Sequence, residues 1–168
     1  VPEYNPLLLA KLAASLDVVS GGRFVFGVGI GWLEEECRAM GIPWARRGAR
    51  TGESVAAMRA LWEQSHASFS GEFVQFERAR SYPQPVRKGS LPVVVGGHSE
   101  AALRRAAAWG DGWCGFNLTP DETRRVTGRL DELLTEHGRS RADLEIFMAP
   151  VREAGPDSIA AYRDAGVD

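Results

Sequence analysis

Two runs, RFVFGVGIG at 23–31 and LPVVVGG at 91–97, constrain this chain more than any other feature. Each is a β-branched or aromatic stretch that ends in glycines and leads on toward a helix-like segment. A strand buried on both faces reads as a continuous apolar run, because helices cover both sides of a parallel sheet. Glycines at its C-terminal end allow a sharp turn and let a ligand approach exposed backbone N–H groups. Proteins of the α/β class build phosphate and cofactor sites at that edge of the sheet. A ligand-binding α/β enzyme is therefore the expectation.

The rest of the chain supplies the alternating helices. Asn5 and Pro6 read as N-cap and first helical position, and Leu9, Leu12, Ala13, Leu16 and Val19 follow at helical spacing until Gly21-Gly22. A strand is expected at 23–28, a short helix and loop at 32–48, and a second helix at 50–64. Phe69, Phe73, Val74 and Phe76 around Ser70-Gly71-Glu72 predict a small hairpin, and SYPQPVRKGSLP an extended or looped stretch. Strands at 92–95, 113–116 and 144–148 then alternate with helices at 99–109, from Thr119 to Gly138, and at 159–165. Thr119-Pro120-Asp121-Glu122 is a capping box with proline at the first helical position. Right-handed crossovers turn such an alternation into a parallel sheet, wound open or closed as a barrel, with an insertion at 32–90.

Composition narrows the function classes. A net charge of −2 gives no electrostatic case for nucleic acid or an anionic membrane. No apolar run approaches the roughly 20 residues that span a bilayer, and VPEYNP does not read as a signal peptide, so none is expected. Cys37 and Cys114 have no CxxC partner and no metal-type spacing to the histidines, so they read as free thiols, with no metal and a cytoplasmic location expected. The chain starts at Val1 without methionine and stops after Ala-Gly-Val, which usually leads into another strand; it reads as a piece open at both ends.

The motifs carry different weights. GVGIGW at 27–32 lacks the spacing of a dinucleotide fingerprint, since Trp32 stands where the third glycine belongs, and the acidic WLEEEC that follows would repel phosphate. It reads as a glycine-lined rim or as turn glycines. GGHSEAALRR at 96–105 is the better phosphate candidate: two glycines leave the strand, Ser99 caps a helix, first-turn N–H groups face the rim, and His98 offers a ring N–H. A plain capped helix with a loop histidine explains the same residues. Asp111-Gly112-Trp113 reads as a turn before a packed tryptophan, or as a carboxylate and indole near a ligand. Glu34, Glu35 and Glu36 read as a solvated face rather than a carboxylate pair for acid/base work, and Arg46, Arg47 and Arg50 as anion contacts or, in preference, as a loop or helix-end group working with Glu53.

Taken in order, NPLLLAKLAASLDVVSGGRFVFGVGIGWLEEE, RRGARTGE, FSGEFVQFE, YPQPV and LPVVVGGHSEAALRRAAAWGDGW resemble the luciferase-like monooxygenase superfamily, and most closely its coenzyme F420-dependent oxidoreductases. The resemblance implies a (β/α)8 TIM barrel that binds FMN or F420 at the C-terminal ends of its strands. It places GRFVFGVGIG, LPVVVGG, GDGWCGF and LEIFMAP at the fourth to seventh strands and residues 1–4 at the tail of the third. A full barrel takes about 250 residues, so the chain is expected to be a partial barrel. Gly96, Gly97, His98 and Ser99 match the loop that meets the cofactor phosphate, Gly29, Ile30 and Gly31 the segment beside the cofactor, and Asn5 an Asn-Pro near its ring. Catalytic residues are expected in strands before Val1, and none is assigned here.

The resemblance implies hydride transfer between reduced F420 and a small organic substrate. The alternatives are an FMN-dependent monooxygenase that inserts oxygen from O2, and a non-catalytic flavin-binding or partner subunit. Expected partners are the small-molecule substrate and, for the intact protein, a second copy of the chain.

Overall fold

The computed structural model describes residues 1–87, 91–150 and 155–168, and these fall into two compact units, Val1–Leu91 and Pro92–Asp168. Residues 88–90, part of the expected stretch SYPQPVRKGSLP, lie outside the described residues.

In the first unit, α1 (Pro6–Ser20) begins where its cap predicts. Asn5 Oδ1 accepts the N–H of Leu7 at 2.9 Å and of Leu8 at 3.3 Å, and Pro6 needs no acceptor there. β1 (Phe26–Val28) is followed by α2 (Glu34–Ala39), which exposes its three glutamates and buries Cys37. The buried face of α1 is small, Ala10, Ala13 and Ala14. α3 (Arg47–Glu63) comes close enough for the Trp62 indole to donate to the Ala10 carbonyl over 3.0 Å. Phe26 meets Trp62 edge-on with centroids 6.0 Å apart. Asp17, only 1% exposed, is tolerated because Oδ2 accepts the Val86 N–H at 2.8 Å. The other side of α1 exposes Leu8, Leu12, Leu16 and Val19.

The predicted hairpin forms from β2 (Ala67–Ser70) and β3 (Gln75–Ala79), with Phe69 stacked opposite Phe76. Its turn is held by Glu53 of α3, whose carboxylate accepts the N–H groups of Glu72 at 3.0 Å, Phe73 at 2.6 Å and Val74 at 2.7 Å. Glu53 thereby holds main chain, and of the arginines expected to work with it Arg46 feels its charge but takes its ion pair from Glu72, with its guanidinium 5.0 Å over the Phe73 ring. Arg50 stacks on Phe73 and Arg47 on Trp44.

Three boundaries also differ from expectation. Residues 1–4 form a turn closed by Tyr4 N–H on the Val1 carbonyl at 3.1 Å, not a strand tail; Pro2 has no N–H to give to a ladder. β1 covers only the last half of the predicted 23–28 strand, where Phe26 and Val28 are buried while Val25 stays exposed. α3 starts at Arg47 rather than 50, because Arg46 takes the left-handed conformation (φ 60°) at its N-cap.

In the second unit, β4 (Val93–Gly96), β5 (Gly112–Phe116) and β6 (Glu145–Ala149) run parallel, with Val95 opposite Trp113 and Trp113 opposite Ile146. α4 (Glu100–Trp109) and α5 (Pro120–Glu136) contribute Leu103, Ala106, Leu130, Leu133 and Leu134 to the core around these strands. Each fully buried leucine contributes roughly 1.5–3 kcal/mol relative to exposure. The Thr119–Glu122 capping box forms as predicted. After α5, the Arg139 guanidinium closes the end of α4, donating to the carbonyls of Ala107 at 2.7 Å, Gly110 at 2.8 Å and Asp143 at 2.6 Å. α6 (Pro156–Asp164) starts earlier than the expected 159, since proline suits a first helical turn. Beyond it, Asp168 N–H reaches the Ile146 carbonyl at 3.1 Å while its carboxylate accepts the Ile146 N–H at 2.8 Å. Among the described residues no helix is long and apolar enough to cross a membrane.

Candidate functional site

β4 delivers three consecutive buried valines to a glycine pair, and the chain turns there into α4. Gly97 makes the turn possible. Its φ of 116° lies where side chains are disfavoured, and a Cβ at this position would stand 3.2 Å from the Ala102 Cβ. The backbone is pinned from below by Trp113, which is fully buried and donates its indole N–H to the Gly97 carbonyl at 2.8 Å.

His98 follows with its ring 4.2 Å from that of Phe116, and its Nε2 accepts the Phe116 backbone N–H at 3.0 Å. Burial pushes the His98 imidazole below its ordinary value, and the negative charge of Glu122 offsets this only in part. Ser99 then caps α4: Oγ accepts the Ala102 N–H, and its carbonyl accepts those of Ala102 and Leu103. The N–H groups of Glu100 and Ala101 lie ahead of the first helical bond and have no acceptor within the helix.

Charge around the turn is balanced without a cation in it. The segment GGHSEAAL at 96–103 holds no lysine or arginine. Glu100 is held ionised by Arg129 at 2.7 Å and Arg104 at 2.9 Å, and its carboxyl sits below the usual range, chiefly through the Arg129 hydrogen bond. Glu122 is likewise lowered by the N–H and hydroxyl of Thr119. The turn can therefore seat an anionic oxygen with neutral donors: backbone N–H groups, a hydroxyl and an imidazole.

The structure thus brings Gly96, Gly97, His98 and Ser99 into one turn. In the first unit, the Gly29 carbonyl accepts the Val1 amine at 3.2 Å, and no atom lies within 4 Å of a Cβ built on Gly29. Ile30 is half-buried, and Gly31 has φ 79° with Glu3 as its nearest neighbour. The Asn5 side-chain oxygen is used as the α1 cap.

Asp111, considered as a ligand carboxylate, serves the fold: Oδ2 accepts the Val93 N–H at 2.9 Å, at the end of β4 away from the turn. The supports of the turn, Trp113 and Phe116, carry no mark in the sequence. Strand parity points to Phe116 alone, because alternate residues of β5 turn their N–H groups toward β4, and it needs a register; Trp113, of opposite parity, acts through its indole. Cys37 and Cys114 are free thiols, and burial raises that of Cys114.

The luciferase-like monooxygenase family model matches residues 1–166. An uncharacterized protein of Mycobacterium tuberculosis is 42% identical over 166 residues, 98% of this chain and 57% of the relative. The FMNH2-dependent dimethylsulfone monooxygenase of Pseudomonas putida is 34% identical over 111 residues, 64% of this chain and 31% of the relative. Among solved structures, an F420-dependent secondary alcohol dehydrogenase bound to an F420-acetone adduct superposes with a TM-score of 0.75 at 26% identity, covering 86% of this chain and 44% of that one. The chain spans little more than half the length of the mycobacterial relatives it matches.

Proposed function

The chain belongs to the luciferase-like monooxygenase family, its α/β fold being part of that family's barrel, and from this membership we propose that it forms the phosphate-holding part of an oxidoreductase that uses coenzyme F420. When bound, F420 supplies the hydride chemistry, exchanged with a small organic substrate. The residues of this chain bind and orient it.

The observation that carries the proposal is the turn at 96–99. It presents a glycine in a conformation that leaves the backbone uncovered, directly ahead of the N-terminus of α4. Its lack of lysine and arginine, together with the acidic Glu100, suits a singly charged group better than a doubly charged one. F420 carries its phosphate as a phosphodiester with one negative charge, whereas FMN carries a phosphomonoester that approaches two. The likeness to the F420-dependent secondary alcohol dehydrogenase supports the same choice. Asn5 and residues 29–31 are proposed cofactor neighbours within the first unit.

A second reading, an FMN-dependent monooxygenase, is favoured by the identity with the dimethylsulfone enzyme. Parallel fluorescence titrations of the full-length protein with F420 and FMN test both. Tighter binding of F420 is expected; tighter binding of FMN selects the second reading, and binding of neither overturns both. A second copy of the chain is the proposed partner of the intact protein, supported by the exposed Leu8, Leu12, Leu16 and Val19 of α1 and tested by sedimentation.

A further inference from the structure

We infer that His98 meets the ligand's anionic oxygen as a neutral donor through Nδ1, with Nε2 reserved as the acceptor for Phe116 N–H. The inference rests on the turn at 96–99 being the phosphate seat, and it adds which atom acts and what sets it.

A backbone N–H can only donate, so the 3.0 Å contact from Phe116 requires a lone pair on Nε2. The ring proton of the neutral imidazole then sits on Nδ1. Protonating the ring would break this bond. Ring orientation is fixed by the Phe116 ring at 4.2 Å and the Trp113 ring at 6.1 Å. Among the described residues Nδ1 has no hydrogen-bond partner.

The sheet explains why Phe116 is there to be met. Gly96 is the last residue of β4 in register, opposite Cys114 of β5, while β5 continues to Phe116. Asn117 donates to Ala149 of β6, so by strand alternation the Phe116 N–H faces the other way, toward β4. The β4 backbone has already left the sheet, and the His98 ring takes the place of the missing carbonyl. Phe116 is thus a positioning residue acting through its main chain, and β5 sets the tautomer used in the turn.

Two isosteres separate the ligand role from the latch role. Asparagine places its amide nitrogen where Nδ1 lies but does not reach Phe116. Glutamine reaches the place of Nε2 and offers an oxygen to Phe116, with nothing at Nδ1. In the full-length protein titrated with F420 and FMN, His98→Asn is expected to bind within about threefold of wild type, and His98→Gln about tenfold or more weaker. Any pattern in which the asparagine variant is not the tighter binder overturns the inference while the phosphate seat stands. Wild-type protein that binds neither cofactor overturns the seat itself. Long-range proton–nitrogen NMR of the His98 ring is expected to show Nε2 unprotonated and Nδ1 protonated; the reverse assignment also overturns the inference.

Discussion

The indole nitrogen of Trp113 donates to the carbonyl oxygen of Gly97 across 2.8 Å, joining the most buried aromatic of the second unit to the turn that follows β4. Trp113→Phe keeps much of the packing and removes only the donor. Leaving the Gly97 carbonyl unpaired is expected to cost about 1–3 kcal/mol, read by chemical denaturation. Cofactor affinity should fall several-fold in the same variant, since the turn loses its lower anchor. Unchanged affinity would show that Trp113 serves packing alone.

Gly97 is predicted to tolerate no side chain. Gly97→Ala forces a Cβ into the φ 116° conformation beside Ala102 and is expected to lower stability by about 1–3 kcal/mol. Gly97→Asp adds a negative charge at the seat and should weaken F420 or FMN binding well beyond the alanine variant. Titration curves of equal midpoint for the two variants would remove the anion from the turn.

Arg139 is a structural residue whose loss should leave the seat intact. Its guanidinium satisfies the Ala107, Gly110 and Asp143 carbonyls together. Arg139→Leu is expected to destabilise the protein by about 2–4 kcal/mol, lowering the thermal midpoint. Cofactor affinity per folded molecule should not change, which isothermal titration below the unfolding range can check.

Beside Glu100, three further carboxylates support stability toward acid. Asp143 is held below the usual range by the N–H and hydroxyl of Ser140, Asp168 by the Ile146 N–H and then Arg141, and Glu122 by Thr119. Each folded value lies below its unfolded one, so each stabilises the fold above the ordinary carboxylate range of about 3.9–4.3. That contribution is lost as pH falls through the folded values. Denaturation midpoints should therefore drop on acidification below about pH 4. The drop should be shallower in Asp143→Asn and Glu122→Gln, and equal slopes in wild type and variants would refute this account.

Much of the frame was legible in the sequence because its signals are local. Asn5-Pro6 and Thr119-Pro120 mark helix starts with residues whose side chains bond the next turn. The valine run of β4 and the hairpin aromatics Phe69 and Phe76 show the periods of their elements. What escaped depends on partners distant in the chain. Spacing groups Glu53 with the arginines before it, yet it bonds backbone 19 to 21 residues onward. Likewise the support of the turn by Phe116 and Trp113 depends on the register of β4 against β5, which no spacing within either strand encodes. The four-residue seat at 96–99 was legible because glycine, serine and a following helix adjoin in sequence; its polarity was not.

The Glu53 carboxylate reads main chain only, gripping three successive amides at 72–74 without regard to their side chains. The hairpin tip is accordingly bolted by its main chain and keyed by its side chains: Glu72 pairs with Arg46, the Phe73 ring lies under Arg46 and Arg50, and Val74 is buried. Position 53 must keep a carboxylate and position 71 no Cβ, which would strike that same carboxylate. A different tip grafted onto 72–74 keeps its seat only if it also carries an anion, an aromatic ring and an apolar residue in that order.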